Sequence, residues 1–133
     1  RSLSALVIGV SAAVAPAADL AGDWAIVSVS RDGKDDPALK GGVRTHAGDK
    51  YTVTPPAGSN VPKVEGTFTV DPKPSPMHYD MKPAAGRYKG KTLLGVAKLD
   101  GDTLVVAFSE SGERPAGFDT KPGVVVAIHK KAK

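Results

Sequence analysis

The 133-residue chain predicts an all-β fold, a single small antiparallel up-and-down barrel of about eight strands. Three observations lead there. Asp100-Gly101 lies between two apolar runs, 91–99 and 102–109, as a tight hairpin turn does. Gly, Pro and Asp pairs punctuate the chain at short intervals, and the runs between them are rich in Val, Thr, Tyr and Phe. No amphipathic pattern of helical length appears.

The expected strands, in order, span about 23–31, 43–47, 50–55, 63–70, 77–82, 91–99, 102–109 and 123–130. The turn formers between them include Asp32-Gly33, Gly41-Gly42, Gly48-Asp49, Pro55-Pro56, Asp71-Pro72, Gly90 and Pro122-Gly123. One short helical turn is expected within 35–40, with Asp36 as cap and Pro37 at the first helical position. The fourth strand alternates. Val64, Gly66, Phe68 and Val70 share one face, and Glu65, Thr67 and Thr69 share the other, the pattern of a half-buried antiparallel strand. The last strand, Val124-Val125-Val126-Ala127-Ile128, is apolar on both faces, so something must cover its outside. The loop 111–121, carrying Pro115 and Phe118, is a candidate cover.

A type I′ turn at Asp100-Gly101 requires positive φ at both positions, and it sets a register. Leu99 then faces Asp102, Ala97 faces Leu104, Gly95 faces Val106 and Leu93 faces Phe108. On the other face Lys98 meets Thr103, Val96 meets Val105 and Leu94 meets Ala107. The first set forms an almost wholly apolar inner face. Asp102, beside the turn, is expected to accept hydrogen bonds from turn amides.

Residues 1–17 read as the end of a secretory leader. Leu3 to Ala15 carries no charge, and Ala15-Pro16-Ala17 supplies a small-residue cleavage pattern. The segment is short for a bilayer span. The alternative is a buried N-terminal helix. The remaining domain, 18–133, holds no second stretch able to span a membrane. The chain has no cysteine. Export without disulfides fits a bacterial periplasm or cell surface better than a disulfide-stapled module. A net charge of +4 with scattered cations and few aromatics argues against nucleic-acid binding.

Catalytic and metal chemistry finds little support. His46, His78 and His129 do not stand at metal-ligand spacing, and no nucleophile elbow, phosphate loop or nucleotide fingerprint occurs. No enzymatic activity, metal or cofactor is therefore expected. His78 and Asp80 share a face of the fifth strand, as a surface hydrogen bond or as a pair needing a third group. Asp80 has Arg114 as its natural partner, either in a structural clamp that fixes the long loop or in an anchor for a ligand. Asp71-Pro72 is turn chemistry.

Gly22-Asp23-Trp24 opens the first strand as G-x-W, which resembles the lipocalin signature. That resemblance implies that Trp24 plugs the closed end and that Lys130 or Lys131 lies over its ring. Further segments run in the order of a lipocalin-like domain family abundant in planctomycetes. They include Leu20-Ala21-Gly22-Asp23-Trp24, Arg31-Asp32-Gly33-Lys34, Gly48-Asp49-Lys50-Tyr51, 65–72, Tyr79-Asp80-Met81, 99–104 and Arg114-Pro115 with Phe118. The family implies a small, often exported barrel with no established activity. Lys130-Lys131 stands where that family usually has Arg.

Two functional readings follow. In the first the barrel holds a small apolar or amphipathic ligand, in a cavity bounded by Phe68, Leu93, Gly95, Ala97, Leu104, Val106 and Phe108, with Gly66 also small. In the second the domain is an interaction module of the cell envelope. Its contact surface is then the apolar outer patch of Leu94, Val96, Val105 and Ala107. A sizeable interior void favours the first, and a packed interior with an exposed patch favours the second.

Overall fold

The computed structural model describes residues 20–86 and 88–132. The expected leader, 1–17, lies outside them. Nine strands form one antiparallel sheet: β1 (Gly22–Arg31), β2 (Lys34–Asp35), β3 (Val43–Ala47), β4 (Lys50–Thr54), β5 (Val64–Asp71), β6 (Met77–Pro83), β7 (Leu93–Asp100), β8 (Thr103–Ser109) and β9 (Val124–Lys131). From β3 to β9 each strand pairs with the next, and β1 pairs with both β3 and β9. Eight strands thus close an up-and-down barrel, and β2 is a two-residue extension on the end of β1. Closure removes the sheet edges that an open eight-stranded sheet would expose.

The turns explain the register, and here the structure corrects the sequence reading. Asp100 pairs with Thr103, so the loop residues are Gly101 and Asp102. Gly101 has φ 59°, whereas Asp32 is the only described non-glycine residue with positive φ. Glycine at the first central position, followed by a residue of negative φ, is the demand of a type II′ turn, not I′. Gly48-Asp49 repeats the device between β3 and β4, with φ 64° at Gly48. The turn with two positive φ values is Asp32-Gly33, at 56° and 79°, between β1 and β2. The β7–β8 register is therefore shifted by two residues. Leu99 faces Leu104, Ala97 faces Val106 and Gly95 faces Phe108. A two-residue shift returns every side chain to its expected face, since the strand period is two. Asp102 contributes its carbonyl, which accepts from the Lys131 amide at 2.7 Å.

A bulge between Ile26 and Ser28 lets β1 serve both neighbours. Trp24 and Ile26 point inward before it, and Val29 after it, while Val27 is left 43 % exposed. The expected helical turn is a 3-10 turn, Pro37–Leu39, capped by the Asp36 carboxylate, which accepts from the Ala38 amide at 3.1 Å.

Two apolar clusters result. The larger fills the barrel and includes Trp24, Phe68, Tyr79, Leu104 and Phe108. The smaller lies outside it, where Val96, Val105, Ala107, Val124 and Val126 pack under Phe118. The loop between β8 and β9 thus straps the outer face. Arg114 holds it with a forked ion pair to Asp80, Nη1 to Oδ1 at 2.5 Å and Nη2 to Oδ2 at 3.3 Å, and donates to the Gly95 carbonyl at 2.7 Å. Asp80 points outward, and Tyr79 and Met81, its chain neighbours, are buried inside. No hydrogen bond joins His78 to Asp80, whose two oxygens face Arg114. Most of the outer patch read as a partner surface is covered by this chain itself: Val96 is 2 %, Val105 8 % and Ala107 0 % exposed, while Leu94 is partly exposed.

Candidate functional site

The barrel interior has two halves. The closed half contains Trp24, which is 1 % exposed and donates from Nε1 to the Leu20 carbonyl at 2.8 Å. Lys131 lies over it, Nζ 4.7 Å from the ring centroid, and donates to the Ala21 carbonyl at 2.6 Å. The cation over the plug is thus Lys131. Phe68 stacks on Tyr79 at 5.5 Å between centroids, and His46 fills the space beside Phe68 at 4.6 Å.

The other half encloses a cavity of about 330 Å³. Its walls come from Ile26, Val53, Met81, Leu93, Phe108 and Ala127. Leu39, Val61, Val64, Ala85 and Tyr88 form a partly exposed rim. Arg44 and His129 form the floor, where β3 and β9 flank the Trp24–Ile26 stretch of β1. Among the expected cavity residues, Leu93 and Phe108 line it. Phe68, Gly95, Ala97, Leu104 and Val106 do not. Phe68, Ala97, Leu104 and Val106 are packed into the core away from it. Gly95 makes no void either: a Cβ there would sit 2.6 Å from the Ala107 carbonyl oxygen and 2.8 Å from that of Tyr79. Gly66 is covered by Tyr51, whose Cε1 would be 2.9 Å from an added Cβ. These glycines admit close strand approach in a tightly bent sheet.

The floor is polar and was not legible as a site. Arg44 is 7 % exposed, His46 2 % and His129 0 %. Arg44 Nε donates to His129 Nε2 at 3.1 Å, and His129 Nδ1 donates to the Leu104 carbonyl at 2.9 Å. This fixes His129 as the neutral Nδ1–H tautomer. Arg44 Nη1 reaches the Tyr79 hydroxyl at 3.4 Å and Met81 Sδ at 3.5 Å. Tyr79 in turn bonds His46 Nε2 at 2.6 Å. His46 Nδ1 is buried without a hydrogen-bond partner among the described residues. The guanidinium also sits over the Tyr51 ring, 5.5 Å from its centroid.

The electrostatics follow from burial. Desolvation, helped by the charge on Arg44, lowers His46 and His129 to about 3. Burial pushes Tyr51 up to about 12 and also raises Tyr79. The floor is therefore a fixed cation among neutral groups. No carboxylate is buried among the described residues, and none lines the cavity. Arg31 at the rim is different: it pairs with Asp36 at 3.1 Å and Glu110 at 3.0 Å, and Tyr88 bonds both Arg31 and Glu110.

The signal for the floor was strand alternation. Arg44 and His46 share the inward face of β3, and His129 follows Val125 and Ala127 on that of β9. Among the described residues no group of three His, Cys, Asp or Glu side chains is arranged to hold a metal ion.

The fold and site define a small closed antiparallel β-barrel with an apolar cavity over a buried arginine. No family model, curated protein or solved structure matches this chain.

Proposed function

We propose that this protein is an exported, non-enzymatic binding module whose barrel takes one small apolar or amphipathic molecule. The observation that carries this reading is the cavity of about 330 Å³, apolar-walled and rimmed by partly exposed residues. A void of that size lies within the range of small-molecule sites. Apolar walls favour an apolar guest, since transfer out of water is driven by the area removed from it. The resemblance to lipocalin-like domains points the same way, with the weight of an analogy of fold. The uncharged apolar run from Leu3 to Ala15 supports export. An envelope-interaction role through Leu94, Val96, Val105 and Ala107 has less support, because the strap carrying Phe118 already occupies that face.

The test is titration with the neutral fluorophore N-phenyl-1-naphthylamine. Saturable one-to-one binding, displaced by decanol and abolished by Ala127→Phe, is expected. Failure of any neutral apolar probe to bind the folded protein would overturn the reading.

A further inference from the structure

We propose that the guest is an anionic amphiphile, a carboxylate on a single alkyl chain, whose head group is seated on Arg44 and whose chain runs toward the rim. This rests on the carrier reading above and assigns the class of its ligand.

The argument starts from charge. Arg44 supplies a guanidinium, the side chain that stays cationic in proteins. It is 93 % shielded from solvent, being only 7 % exposed, yet forms no ion pair among the described residues. An isolated ion in a low-dielectric interior is costly, and proteins ordinarily pair it. Here the titratable neighbours bring no negative charge. His129 and His46 are neutral rings, and the phenols of Tyr51 and Tyr79 are kept protonated by burial.

Geometry then directs the unmet demand. Nε is committed to His129 and Nη1 to Tyr79, which leaves Nη2 without a hydrogen-bond partner among the described residues. Arg44 lines the cavity, where a guest can meet its open donor. The guanidinium is also held by these bonds and stands over the Tyr51 ring, so its orientation costs little further order on binding. A guest matching the site needs one acceptor anion at the floor and apolar surface everywhere above it. Arg31 does not compete for that anion, because Asp36 and Glu110 already neutralise it.

The experiment compares three probes of equal chain length, decanoate, decanol and decylammonium, as displacers of N-phenyl-1-naphthylamine at neutral pH. Decanoate is expected to bind at least about tenfold more tightly than decanol, the scale of one charge-assisted hydrogen bond. Decylammonium should bind more weakly than either. In Arg44→Met the decanoate advantage should vanish while decanol still binds. If that variant does not fold, the wild-type series decides alone. A second readout is the Arg44 Nε–H resonance, which should shift with decanoate and not with decanol. Decanol binding as tightly as decanoate to the wild type overturns the assignment to Arg44 and leaves the carrier reading standing. Loss of all binding, the fluorophore included, overturns the carrier reading and this one with it.

Discussion

Lys131 lies over Trp24, with its ammonium 4.7 Å from the indole centroid and bonded onward to the Ala21 carbonyl at 2.6 Å. The contact joins the last strand to the first at the closed end of the barrel. Trp24 is buried, so Trp24→Ala should cost about 3–5 kcal/mol in chemical denaturation. Lys131 is exposed, and Lys131→Met should cost no more than about 1 kcal/mol. Native tryptophan emission should be that of a buried indole. A fully solvated spectrum would contradict the plug.

The strap on the outer face depends on Arg114. Arg114→Ala removes the fork to Asp80 and the bond to the Gly95 carbonyl, and should destabilise by about 1–3 kcal/mol. The loop between β8 and β9 should become sensitive to protease before the barrel melts. Phe118→Ser should uncover Val96, Val105 and Val126 and cause self-association that rises with protein concentration. A variant that stays monomeric and protease-resistant would show that the strap is held by other contacts.

Stability should fall with acid earlier than carboxylate titration alone predicts. His46 and His129 titrate near 3 in the folded protein and near 6.5 unfolded. Above about pH 6.5 both states leave them neutral, and stability does not depend on them. Below it the unfolded chain takes up protons that the folded protein refuses. Each histidine then removes up to about 1.4 kcal/mol per pH unit as pH falls toward 3. Melting temperatures measured from pH 7.5 to 5 should decline, and His129→Gln should flatten the slope. A flat wild-type profile through that range would contradict the buried neutral histidines.

Two substitutions separate close packing from void. Gly95→Leu should unfold the protein, because its first side-chain carbon already meets two carbonyl oxygens. Ala127→Phe, at a cavity wall, should be tolerated, with a thermal melt close to that of the wild type. Equal tolerance at both positions would mean that the strands near Gly95 are more loosely spaced than the geometry shows.

Gly101→Val places a β-branched residue at φ 59° and should cost about 1–3 kcal/mol. Asp102→Val, where φ is not positive, should cost less. Urea denaturation of the pair checks the turn type, since a type I′ turn would penalise both.

Much of this molecule was determined by its sequence alone. Short apolar runs between Gly and Pro pairs placed the eight barrel strands within two residues of their ends. Local chemistry likewise named the Asp36 cap, the Asp80–Arg114 clamp, and the covering role of the loop with Phe118. The turn type escaped because registers two residues apart present identical faces, so the hydrophobic pattern is blind to the difference. The cavity escaped for a related reason. Alternation tells inside from outside, but not the height of a residue along the barrel axis. That height depends on pairings accumulated around the whole barrel and closed only by β1 against β9. Arg44 meets Tyr79 across 35 residues of chain and His129 across 85. Closure alone decided that these polar groups share one floor, and that the void opens above them instead of beside Gly95 and Ala97.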